Sequence, residues 1–193
     1  DEAVAKKGAD GFLKLGANAA VPLVCFIAGQ AAGYTNPGET AKRRAEGLLV
    51  KLAGDAVPPI LERLGTKNEE FRTRLVRILA QIKDDRRNEP LLALWKSEKS
   101  DKVRAALVAA IMSIDLAKGL SMLRTRVTSA LPRELQAIAA QLAIHGTAAD
   151  VSKIMSRIAT KDRIAFVQAV IAQVKAIGGS AATKAIQRLK ACL

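Results

Sequence analysis

The chain has 193 residues, a length that suits one ordinary domain, and carries 31 Lys and Arg against 18 Asp and Glu, for a formal net charge of +13. Half of its residues are hydrophobic, which excludes a disordered chain, and its two cysteines are too few for a disulfide scaffold. A single histidine, His145, leaves little for His-based catalysis or metal binding.

Taken in chain order, residues 1–38 hold three Lys and three acids, so the whole excess lies in residues 39–193. Residues 15–38 carry no charge. The dense apolar part, Ala19 to Ala28, is about half of the ~20 residues a membrane span needs, and Asn18, Pro22 and Gln30 interrupt the segment. It reads as a buried helix rather than a span.

A repeat organises the rest. KLAGDAVPPILERLG (51–65) resembles KLGANAAVPLVCFIA (14–28), and KDDRRNEPLLALWK (83–96) repeats the order of turn, polar residue, Pro and Leu-rich helix. Looser copies follow at 114–127, 146–159 and 178–191, so that these helices begin every 30 to 36 residues. Another amphipathic helix precedes each copy. Its apolar stripe is Phe71, Leu75, Ile78, Leu79 and Ile82, then Val103, Leu107, Ala110, Ile111 and Ile114. It recurs as Leu135, Ile138, Ala139 and Leu142, and again as Ile164, Val167, Ile171 and Val174.

Helix starts are predicted at Asn68, Ser100, Pro132 and Thr160, where short polar caps or proline precede the apolar runs. Breakers fall at Gly65-Thr66, Gly146-Thr147 and Gly178-Gly179. The reading is six two-helix units near 1–33, 39–65, 68–97, 100–128, 132–159 and 161–193. A lone hairpin cannot cover its apolar stripe, so consecutive hairpins stack. The expected fold is all-α, a right-handed α-solenoid forming a single domain over 1–193 rather than a compact bundle.

The segments GDAVPPILERLG (54–65), DDRRNEPLLALW (84–95) and SDKVRAALVAAI (100–111) resemble the HEAT repeats, especially the short phycobilisome-lyase-type repeats. The likeness is close over 51–112 and looser to 193. It implies that an Arg after the first apolar residue of each first helix packs in the groove between repeats. Arg104 and Arg72 match that position, Arg43 is a third candidate, and Gln136 departs from it. The resemblance also implies that second helices line a concave surface.

The second helices carry a recurrent cation. Aligned on Leu64, Trp95, Val127, Ile158 and Leu189, the preceding residues are Arg63, Leu94, Arg126, Arg157 and Arg188. Lys153 and Lys184 stand four residues before the last two, and Arg124 adds a further charge. Residues 120–133, 151–160 and 180–193 contain no acid. Arginine suits bidentate contact with carboxylate or phosphate. The column is either a solvated helix face or a basic groove for an acidic protein or peptide. On the second reading, changing Arg126, Arg157 and Arg188 together to Glu abolishes partner binding and costs little stability.

No phosphate loop, Gly-x-Gly-x-x-Gly, nucleophile elbow or metal-ligand cluster occurs. His145 is expected to cap a helix end, and Asp84-Asp85-Arg86-Arg87 to form a charged turn. Cys25 and Cys192 are expected to be unpaired, Cys25 buried, which favours a reducing compartment; a chain starting at Asp1 also fits a removed leader. The function expected is a non-enzymatic interaction scaffold with no cofactor and no membrane span. The alternative is binding to a nucleic-acid backbone, with a log–log salt slope of roughly −3.6 for four contacts. A HEAT-like DNA glycosylase needs exposed stacking aromatics, whereas Phe12, Phe26, Tyr34, Phe71, Trp95 and Phe166 are scattered. A bilin lyase rests on resemblance alone.

Overall fold

In the computed structural model of the chain, the described residues are 2–30 and 37–193, with side chains from residue 8 onward. Tyr34 and the expected end of the first repeat at residue 33 lie outside them. Twelve α-helices and no strand occur among the described residues. The fold is an all-α solenoid, and its hairpins fall into two compact units, residues 1–97 and 98–193.

The first unit contains α1 (Glu2–Lys14), α2 (Ala17–Ile27), α3 (Glu39–Leu52), α4 (Val57–Arg63), α5 (Glu69–Gln81) and α6 (Asn88–Ser97). Helix α3 packs on α2 and on α5. The Asn68 carboxamide accepts the Phe71 N–H at 3.0 Å and so starts α5 as expected. The α5 stripe is buried at Phe71, Leu75, Ile78, Leu79 and Ile82. Each such side chain contributes roughly 1.5–3 kcal/mol by leaving water.

Polar ties cross the hairpins of this unit. Arg74 on α5 reaches Glu46 at 2.5 Å and Glu39 at 2.6 Å on α3. Arg86 donates to the Gly54 carbonyl at 2.8 Å while held by Asp84 at 2.7 Å. The charged turn of residues 84–87 is therefore a structural clasp.

The second unit contains α7 (Asp101–Ile114), α8 (Leu116–Arg126), α9 (Pro132–His145), α10 (Ala148–Met155), α11 (Arg163–Ile177) and α12 (Ser180–Lys190). Helix α9 is central and packs on both α7 and α11. Ser100 and Asp115 cap α7 and α8 through the N–H groups of Val103 and Lys118. Thr147 and Asp150 bond reciprocally at the start of α10, a capping box.

Three expectations need correction. The fourth stripe is Phe166, Val167, Val170 and Val174, while Ile164 is 59% exposed and Ile171 half-buried. Helix α11 is apolar nearly all round, so its sequence has little contrast to fix the rotation. Thr160 is not its cap: residues Thr160–Asp162 form a 3-10 turn and the helix starts at Arg163. Cys25 is half-buried rather than buried; it and Cys192 are both free thiols.

Candidate functional site

The aligned apolar register is real: Leu64, Trp95, Val127 and Leu189 are buried and Ile158 is half-buried. Four of the residues just before these positions are arginines, and each meets a neighbouring hairpin. In the first unit, Arg63 donates to the Gln30 side-chain oxygen at 3.0 Å and lies 3.9 Å from the Cys25 sulfur. In the second unit, Arg126 donates from Nε to Glu134 at 2.8 Å. Arg157 donates to the Val127 carbonyl just beyond α8. Arg188 donates to the carbonyls of Ala143 and Gly146, at 3.1 and 3.0 Å, where α9 ends.

Three of these acceptors, the carbonyls of Val127, Ala143 and Gly146, stand at helix ends, where the last carbonyls have no intrahelical donor. A cation at a helix C-terminus is also favoured by the macrodipole. The recurrent arginine thus fastens one hairpin to the next. Arg126 and Arg188 are half-buried in doing so, and replacing them with Glu would place a carboxylate against carbonyl oxygens or against Glu134. The expectation that the triple Glu variant keeps its stability is revised accordingly.

Glu134 is the centre of the strongest tie. It is 0% exposed and sits in the first turn of α9. Its carboxylate accepts Arg104 Nε at 2.9 Å, Arg126 Nε at 2.8 Å and the Leu131 N–H at 3.2 Å. Burial pushes its carboxyl up, but the hydrogen bonds from Arg126 and Arg104 outweigh this and hold it below the usual range. From α7, Asp101 accepts the N–H groups of Arg133 and Glu134 at 2.9 and 2.8 Å. The start of α9 is capped from the preceding hairpin.

Arg104 also donates to the Glu98 carbonyl, and Arg72 to that of Thr66, each six residues back. Arg43 behaves differently. Its side chain is 75% exposed and pairs with Glu39 in its own helix.

The remaining predicted cations divide in two. Arg124 is paired with Asp150 through two contacts of 2.9 Å. That pairing drives the Asp150 carboxyl down to about 2. Lys153 and Lys184 are exposed, as is Arg157 beyond its single carbonyl contact. Among the described residues no group of three or more His, Cys, Asp or Glu could hold a metal, and no helix is long and apolar enough to cross a membrane.

The family model for HEAT repeats matches residues 36–112 and 57–144, more than half of the chain. The chain belongs to the HEAT-repeat family. HEAT repeats are commonly protein-interaction scaffolds. Neither a curated protein nor a solved structure matches this HEAT-repeat chain.

Proposed function

We propose that this HEAT-repeat protein is a non-enzymatic scaffold that binds an acidic protein or peptide through the cations of its second helices in residues 98–193. One observation carries the reading. Helices α8, α10 and α12 contain Lys118, Arg124, Arg126, Lys153, Lys184, Arg188 and Lys190 against one acid, Asp150, and Arg124 neutralises that acid. An ordinary solvated face would mix signs along its length.

The work divides by residue. Arg124, Arg126, Arg157 and Arg188 hold helices together, and Lys153 and Lys184 face solvent for the partner. Association is steered by charge, so it is fast at low salt and slows as salt rises.

The test measures binding of the protein and its Lys153→Glu/Lys184→Glu variant to a poly-glutamate peptide and to duplex DNA across a salt series. Saturable poly-glutamate binding that the variant loses supports the reading. Binding to DNA alone, with a slope of about −0.9 per phosphate neutralised, replaces it with backbone recognition of nucleic acid. Equal binding by the variant refutes the assignment of the two lysines.

A further inference from the structure

The first unit has an open cavity of about 1000 Å³ lined by residues of α1, α2 and α3. Its walls are mostly apolar, built from Phe12, Val21, Leu23, Phe26 and Leu48. Phe12 and Val21 remain 40% and 51% exposed at it. An apolar cavity of this size with a few convergent polar groups is the form that small-molecule sites take.

Among the described lining residues the one charged side chain is Arg44, beside the uncharged polar groups of Gln30 and Thr40. Arg44 and Thr40 lie four residues apart on α3, so they share a helix face, and both line the cavity. No Asp or Glu lines it among the described residues. The contrast with the adjacent Arg43 is direct, since Arg43 pairs with Glu39 and Arg44 has no carboxylate partner among the described residues. A second guanidinium stands at the edge: Arg63 is bonded to Gln30 and lies beside Cys25, both of which line the cavity.

Apolar walls with positive groups and no acid select an occupant that is apolar along its body and anionic at its head. A cation is disfavoured by Arg44, and a small anion would leave the apolar walls wet. We infer that this cavity binds a long-chain carboxylate, its aliphatic body against Phe12, Val21, Phe26 and Leu48 and its head against Arg44. Carboxylate is the head group that a guanidinium fork grips in bidentate fashion. This site is separate from the basic second helices of residues 98–193, and it stands or falls independently of the scaffold reading.

The test is calorimetric titration of the full chain with dodecanoate below its micelle threshold, with decanoate and dodecyltrimethylammonium in parallel arms. Dodecanoate is expected to saturate at one site per chain and to bind about fifteenfold more tightly than decanoate, since each of its two extra buried methylenes is worth roughly fourfold. Dodecyltrimethylammonium, with the same chain and opposite head, is expected to bind at least tenfold more weakly. Arg44→Glu, an exposed substitution, is expected to erase that preference. Val21→Trp, also at an exposed position, is expected to set an indole in the path of the aliphatic body and weaken binding at least tenfold with the helical circular dichroism unchanged. Equal binding of both head groups, or dodecanoate binding untouched by Val21→Trp, would overturn the inference.

Discussion

Arg104 and Glu134 form a buried ion pair, 2.9 Å apart, that joins α7 to α9 across two successive hairpins. Arg104 is 6% exposed and Glu134 is fully enclosed. A buried pair is weak evidence for stability when compared with a hydrophobic substitute, but breaking one partner strands the other charge away from water. Glu134→Ala takes the buried carboxylate away from Arg104, which keeps its bond to the Glu98 carbonyl, and loosens Arg126 as well. It is expected to destabilise the chain by about 3–5 kcal/mol, read as a fall in the urea midpoint. Arg104→Met/Glu134→Met together should cost less than Glu134→Ala alone, because the buried Arg104 charge is then gone and only the half-buried Arg126 loses its carboxylate.

Acid should weaken the second unit through Asp150. Its carboxyl titrates near pH 3.8 when unfolded and at about 2 when folded, because Arg124 donates to the charged form. A depressed folded value means that the pair contributes its full stability above the unfolded value and loses it as pH falls through the folded one. Urea midpoints measured downward from neutral pH should therefore drop between about pH 4 and pH 2. Asp150→Asn should flatten that part of the profile and lower the midpoint at neutral pH. An identical profile for the variant would remove Asp150 as a source of the acid sensitivity.

The crossing of α7 and α8 depends on a residue with no side chain. A Cβ on Gly119 would stand 2.9 Å from the Met112 sulfur and 3.1 Å from the Met112 Cα. The sulfur can swing away, but the backbone atom cannot without moving the helix. Gly119→Val is expected to cost about 1–3 kcal/mol by overpacking. Calorimetry should show a lower transition temperature, and Gly47→Val, at a position with open space around it, should not lower it by as much.

The hairpins were legible in the sequence because helix packing imposes a 3.6-residue period on apolar positions, and the Phe71, Val103 and Leu135 stripes follow it. The α11 stripe was not. Ile164 and Val167 look equivalent in a helix rich in Ala, Ile and Val, and only the packing shows which one points inward. The arginine column was legible as a pattern, but its acceptors were hidden. Val127, Ala143 and Gly146 are engaged through backbone carbonyls, which every residue has, so no side-chain pattern marks them. Glu134 was missed because its partners, Arg104 and Asp101, lie 30 and 33 residues earlier in the chain. The cavity of the first unit was missed because an apolar run looks the same whether or not its neighbours fill the space beside it.

The central claim is that recurrent arginines fasten neighbouring hairpins, while the exposed lysines of the same helices do not. Charge-matched triple variants test it most directly. Arg126→Gln/Arg157→Gln/Arg188→Gln and Lys153→Gln/Lys184→Gln/Lys190→Gln each remove three positive charges. Hydrogen bonds from charged donors are worth about 1.5–3 kcal/mol each, so thermal unfolding of the arginine triple should shift down by many degrees and that of the lysine triple should stay near the parent. Equal transition temperatures for the two triples would contradict the account.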